Sequence, residues 1–212
     1  MKIQIDLFDY KSPSTVNILV GLGNVYLFQE KYKQATETLN DALNIAESIF
    51  KKDHIFLLAI YNSMGLLCLD KKLYDNSIFY LEKSLDISKK IFLEDNLDNV
   101  PVLNNLASIQ FVKKNYTEAK NNLLKGLQIS NNYNLGINTE QVLCLNNLGY
   151  ISYFEENYQE AIYYFHKALS LCCDELSLNN SFPSIAIHSG MGYAYVDSGD
   201  VAKGLSELLL AI

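Results

Sequence analysis

The sequence predicts an all-α chain of tandem helical hairpins, and three observations predict it. One short pattern occurs five times, as LVGLGNVYLFQEKYKQA, YNSMGLLCLDKKLYDNS, LNNLASIQFVKKNYTEA, LNNLGYISYFEENYQEA and HSGMGYAYVDSGDVAKG. Its small central residue, Gly23, Gly65, Ala107, Gly149 and Gly192, recurs at intervals of 42, 42, 42 and 43 residues. Apolar and small residues recur at three- to four-residue steps on both sides of a short polar break, which is the period of an amphipathic helix on each side of a tight turn.

The first helix of each unit is centred on the small residue. Glycine and asparagine are poor helix formers, so packing and not propensity must place Gly149 there. The second helix opens after the polar break at Tyr32, Tyr74, Tyr116 and Tyr158, with Val201 in the fifth unit. It continues through a small column, Ala35, Ser77, Ala119, Ala161 and Gly204, and then Leu39, Leu81, Leu123, Phe165 and Leu208. A further small column, Ala42, Ser84, Gly126, Ala168 and Ala211, follows. Between units lie short polar loops, LEDN near residue 95, NNYNLGIN at 131–138 and LSLNNSFP at 176–183. Asn138 followed by Gln141 reads as a helix start, and Pro101 and Pro183 fall at or near helix starts, where a missing N–H costs little. The expected units are 16–57, 58–99, 100–141, 142–184 and an incomplete 185–212, with 1–15 as the tail of a preceding helix and a linker.

The register runs past both ends. Ile3 falls in line with Ile45, Ile87, Ile129 and Leu171, and Leu7-Phe8 with Ile49-Phe50 and Ile91-Phe92, while GLSELLLAI stops inside a second helix. Neither end carries a polar capping helix. This predicts an excerpt of a longer array whose uncapped ends favour self-association; a natural start at Met1 with a short leading helix is the rival reading.

Composition excludes several classes of function. The chain has 212 residues, 49% of them hydrophobic, enough for one large domain or an elongated array with a continuous core. No stretch approaches the ~20 apolar residues that cross a bilayer, and MKIQIDLFDY carries acidic residues where a signal peptide keeps an apolar run. A cytoplasmic protein is expected, with no membrane contact. All basic residues are lysine, Asn, Ile, Tyr and Lys are abundant, and the net charge is -7. The residue bias suggests an AT-rich genome. Without arginine or a basic stripe the chain lacks the electrostatic footprint of a nucleic-acid binder.

Cys68, Cys144, Cys172 and Cys173 form no CxxC pair and read as small apolar fillers in a reducing compartment. His54, His166 and His188 have no partner at metal-ligand spacing and read as surface or packing residues. There is no GxxxxGK[ST] loop, no GxSxG elbow and no histidine paired with a nucleophile, so neither catalysis nor a cofactor or metal is expected. The acids Glu155-Glu156 lie at a helix-turn junction and read as solvated charge.

The columns resemble the tetratricopeptide repeat across essentially the whole chain. The 42-residue period departs from the commonest 34 and is similar to the longer variety of kinesin light chains. LNDALNIAESIFKKDHIFLLAIYNSMGLLC, at 39–68, resembles that subgroup, including Asp53-His54 in the connecting loop, which makes His54 a loop residue. The resemblance implies a right-handed superhelical solenoid whose first helices line a concave groove, with small residues allowing close helix approach and the tyrosine packing over the crossing.

On the groove-facing stripe the sequence places Asn24, Asn62, Asn104, Asn105, Asn146 and Asn147, with Asn62, Asn104 and Asn146 one repeat apart. An amide offers two donors and an acceptor, which suits an extended peptide backbone, and asparagines at matching positions do this in peptide-binding relatives. A second role stays open for them, hydrogen bonding between adjacent helices. Specificity would come from Leu66, Leu69, Phe111, Tyr150, Tyr153, Phe154 and Tyr193, of which Tyr150, Tyr153 and Phe154 share a helix face with Asn146 and Asn147. Ordinary inter-helix packing is the alternative for each aromatic. The stripe lacks the basic residues with which relatives clamp the carboxylate of acidic chaperone tails.

The function these features imply is a non-catalytic peptide- or protein-binding scaffold. The alternative is the peptide-sensing module of a bacterial signalling protein, a transcriptional regulator, kinase or phosphatase-like regulator, with its output domain outside this segment. Fold alone does not separate them.

Overall fold

In a computed structural model the described residues are 11–50, 53–92, 96–133, 139–172 and 182–212. They form ten helices and no strand. In order these are α1 (Pro13–Phe28), α2 (Tyr32–Ile49), α3 (Ile55–Asp70), α4 (Tyr74–Phe92) and α5 (Asn99–Val112), then α6 (Tyr116–Asn132), α7 (Thr139–Phe154), α8 (Tyr158–Ser170), α9 (Phe182–Asp197) and α10 (Val201–Leu210). Odd-numbered helices carry the central small residue and even-numbered helices open on the tyrosine column, so the hairpin reading holds in every unit. MKIQIDLF, Cys173, Asn138 and most of the 176–183 loop lie outside the described residues.

The chain divides into two compact units, Met1–Val102 and Leu103–Ile212. In the first, α1 packs on α2 and α3, and α3 on α4. Val16, Leu39, Ile45, Ile60 and Met64 share one core cluster. In the second, α7 packs on α6 and α8, and α9 on α7, α8 and α10. Val142, Ile162, Phe165, Ile187 and Met191 share its core.

The glycine column works by close approach. A Cβ on Gly23 would sit 2.7 Å from Leu39, one on Gly65 2.6 Å from Leu81, one on Gly149 2.6 Å from Phe165 and one on Gly192 2.7 Å from Leu208. The two columns read from the sequence are therefore one contact, repeated along the chain. Where the two small columns of the even-numbered helices carry serine, the hydroxyl ties the helices: Ser77 Oγ donates to the Gly65 carbonyl at 2.7 Å and Ser84 Oγ to that of Leu58 at 3.0 Å.

The turns have one construction. Glu30, Lys72, Lys114 and Glu156 sit at φ 56°, 58°, 62° and 62°, with Gly199 at 98° in the fifth. In each, the left-handed residue donates its N–H three residues back and the next residue five back, as Lys114 does to Phe111 and Asn115 to Gln110. This is the Schellman closure of a helix C-terminus. Asn115 and Asn157, the caps of α6 and α8, make no side-chain capping bond to the backbone; Asn115 Nδ2 instead donates to Gln110 Oε1 at 2.9 Å across its turn.

Candidate functional site

The stripe residues of the second unit come from α5, α7 and α9. Asn104 is buried, and its Oδ1 accepts a 2.7 Å hydrogen bond from Asn147 Nδ2, which joins α5 to α7. Asn105 and Asn147 are half-buried. Asn146 is half-buried, and its Oδ1 is enclosed without a donor. Asn147 bonds through its Nδ2, which leaves the amide's Oδ1 without a donor among the described residues.

Beside Asn147 lies a cleft of about 230 Å³ lined by Ala107, Ser108, Phe111, Val112, Leu123, Asn147, Tyr150, Ile151 and Phe154. It brings together four of the sequence-selected residues, and no charged side chain lines it. Phe111 and Phe154 meet edge to face with centroids 5.1 Å apart, and Phe154 is 53% exposed. Tyr150 stands edge-on to Phe165, and its hydroxyl donates to the Ala186 carbonyl at 2.9 Å; burial raises its pKa. Tyr153 faces away toward α9, where its hydroxyl donates to Asp197 Oδ2 at 2.6 Å. That hydrogen bond, with burial and the Asp197 charge, pushes the phenol up to about 12. Tyr193 on α9 is exposed.

In the first unit Asn24 is exposed, Leu66 and Leu69 are half-buried, and Asn62 is half-buried with an enclosed, unpartnered Oδ1 like that of Asn146. A larger cleft of about 550 Å³ there is lined by Glu47, Phe50, Asp53, Leu57, Tyr61, Lys83, Asp86 and Ile87. Sequence reasoning missed it because its charges come from two helices and a loop, Glu47 on α2, Lys83 and Asp86 on α4 and Asp53 between α2 and α3. Lys90 bridges Asp86 at 2.7 Å and Asp53 at 3.3 Å, and Lys83 Nζ lies 4.9 Å from the Tyr61 ring centre.

Other polar residues are structural. Glu155, read as solvated, is paired: Lys120 Nζ lies 2.6 Å from Glu155 and 2.8 Å from Glu160, and Ser152 Oγ donates to Glu160 at 2.8 Å. Burial alone would lower the Lys120 pKa, but the hydrogen bonds to both carboxylates hold it raised. His54 caps α3 through its Nδ1 and stacks on Phe50 at 3.9 Å. His166 lies 3.0 Å from the Tyr195 hydroxyl, and His188 Nδ1 2.7 Å from Glu207. Burial raises the thiol pKa of Cys68, and that of Cys144 to about 12, so these thiols are poor nucleophiles. Among the described residues no group of His, Cys, Asp or Glu could hold a metal ion, and no helix is long and apolar enough to cross a membrane.

Hairpins closed by small residues and stacked in register define a helical-repeat protein. The tetratricopeptide repeat model matches residues 14–90 and again 98–174, and the chain belongs to that family. Tetratricopeptide repeats are generally protein-binding scaffolds. The chain is similar to BtubC (BKLC) from P. vanneervenii, with 22% identity over 95% of this chain and 82% of that one, at a TM-score of 0.81. It is also similar to the kinesin-light-chain-like, nearly identical TPR-like repeats of Podospora anserina, with 15% identity over 94% of each chain and a TM-score of 0.75. Pseudomonas aeruginosa pilF shares 19% identity over 94% of this chain and 77% of its own, with a TM-score of 0.70. At these identities the likeness concerns the fold. No curated protein matches the sequence.

Proposed function

We propose that the chain is a non-catalytic scaffold that binds an extended segment of a partner protein along the stripe of its odd-numbered helices. The reading rests on one observation, the uncharged cleft where Phe111, Asn147, Tyr150 and Phe154 meet. At about 230 Å³ it falls below the range of whole small-molecule sites, ~300–1,000 Å³, and suits part of a peptide. Phe154 supplies exposed aromatic area, and Asn147 Oδ1 supplies an acceptor for a backbone N–H. Asn105, Asn146, Tyr153 and Tyr193 extend the second-unit surface, and Asn24 and Asn62 are the first-unit members of the proposed set. Asn104 acts through Asn147. A cytoplasmic setting fits the buried thiols Cys68 and Cys144, and self-association of the chain is part of the same reading.

The test is a peptide-array screen of the chain, repeated with Phe154→Ala. This side chain is half-exposed, so folding should survive. A residue central to an interface is worth more than about 1 kcal/mol, so peptides bound at the cleft should lose at least roughly fivefold in affinity. Their binding should change little with salt, because no charge lines the cleft. Peptides that bind the variant equally well, or a steep salt dependence, would move the binding surface elsewhere.

A further inference from the structure

Five aromatic rings of the second unit touch in series. Tyr116 meets Phe111 with centroids 5.8 Å apart, Phe111 meets Phe154 at 5.1 Å, Phe154 meets Tyr153 at 5.4 Å, and Tyr153 meets Tyr158 at 5.9 Å. The row is one motif used twice. Phe111 with Tyr116 and Tyr153 with Tyr158 are the same two register positions in successive repeats, and Phe154 joins the pairs. Phe154 is exposed and the other four rings are half-buried, so each keeps area in contact with solvent.

The tyrosines add donors, and a charge marks one end of the row. The Tyr116 and Tyr158 hydroxyls have no hydrogen-bond partner among the described residues, so each has a proton to donate. Asp197, exposed on α9, accepts from the Tyr153 hydroxyl at 2.6 Å and makes no ion pair with a described residue. It holds the register of Val112 and Phe154, so the apolar surface gives way there to a negative charge.

A polyproline II segment fits this surface in three respects. It has no internal hydrogen bonds and is extended before it binds, so docking it on aromatic rings costs little ordering. Its period also matches: the contacts of 5.1 and 5.4 Å in series separate Phe111 from Tyr153 by at most on the order of 10 Å, the scale of one three-residue turn of ~9 Å. Prolines one turn apart therefore meet equivalent rings of successive repeats. Proline offers a carbonyl and no N–H, which suits the two hydroxyl donors.

We infer that the partner segment is proline-rich, binds in the polyproline II conformation along this row, and carries a lysine or arginine at the end that reaches Asp197. This rests on the scaffold reading and names the chemistry of its partner. One exposed ion pair adds only about two- to fivefold in affinity, which keeps the salt dependence shallow.

The experiment is fluorescence anisotropy of the full chain with labelled peptides of equal length. The probes are an oligoproline ending in arginine, one beginning with arginine, each of these with alanine in place of the arginine, and a glycine-serine peptide carrying the same arginine. One arginine-bearing oligoproline should bind at least roughly tenfold more tightly than the glycine-serine peptide, because it is ordered before binding. Asp197→Asn, with thermal melts to check folding, should weaken that probe by about two- to fivefold and leave its alanine counterpart unchanged. Tyr158→Phe should weaken both alike, through the lost hydroxyl. Oligoprolines bound no better than the glycine-serine peptide, or array peptides that depend on Phe154 but lack proline, overturn this inference and leave the scaffold standing. Asp197→Asn acting equally on the arginine and alanine probes overturns the basic residue. An array in which no bound peptide depends on Phe154 overturns the scaffold reading of the cleft itself.

Discussion

Phe165 and Gly190 are a matched pair. Where the other units carry Leu39, Leu81, Leu123 and Leu208, the fourth carries a phenylalanine, and its Cζ lies 2.5 Å from where a Cβ on Gly190 would stand. Asn105 and Asn147 hold this register in the third and fourth units; the fifth has only a hydrogen there. Gly190→Asn should therefore destabilise the chain by ~1–3 kcal/mol through overpacking. Phe165→Leu alone, a smaller change, should cost about 1 kcal/mol. Together they should cost less than their sum by at least ~0.5 kcal/mol, read by denaturant unfolding of all four proteins. Strict additivity would show that the ring does not dictate the glycine.

The Lys120 cluster predicts an acid-sensitive second unit. Glu160 has its pKa lowered, first by the Lys120 hydrogen bond and then, against burial, by Ser152. A carboxylate depressed on folding adds stability above its unfolded value, ~4.3, and loses it as pH falls through the folded one. The Lys120 pKa is raised, so its contribution is complete below ~10.4 and is lost as pH rises through its folded value. Melting temperatures followed from about pH 6 down to about pH 2, across the window below the unfolded value, should fall less steeply in Glu160→Gln than in the wild type. Parallel curves would deny the cluster a role.

Tyr153 should ionise late. With its pKa at about 12 and an unfolded value near ~10, its contribution is complete below the lower value and lost as pH rises through the upper one. The ultraviolet titration of wild type minus Tyr153→Phe isolates this phenol. Asp197→Asn should bring it down toward the ordinary range, and an unmoved titration would show that Asp197 does not hold it.

The left-handed turn residues are sites for engineered stability. A non-glycine residue at this conformation is disfavoured by ~1–2 kcal/mol, partly offset by the larger entropy that glycine loses on folding. Lys114→Gly should raise stability by up to about 1 kcal/mol, and Gly199→Ala should lower it by a similar amount. Thermal unfolding checks both, and a loss at Lys114→Gly would show that the lysine side chain outweighs its backbone strain.

That the small-residue and leucine columns are one contact came from the structure; the sequence by itself determined the hairpins, their order and the two columns. Those follow from a one-dimensional pattern: helical period places residues on faces, and a 42-residue recurrence places equivalent faces on successive units. It also marked Phe111, Asn147, Tyr150 and Phe154 as members of one stripe. Only the tertiary structure decided which of them meet, because Asn104 turns inward to accept from Asn147 while Tyr153 is drawn to Asp197 on the next odd-numbered helix. The turns were invisible for a different reason. Glu30, Lys72, Lys114 and Glu156 are residue types with no preference for positive φ, and backbone hydrogen bonds impose it on them. Lys120 with Glu155 and Glu160 was equally hidden, since long side chains from separate helices find each other by crossing geometry, which sequence spacing does not encode.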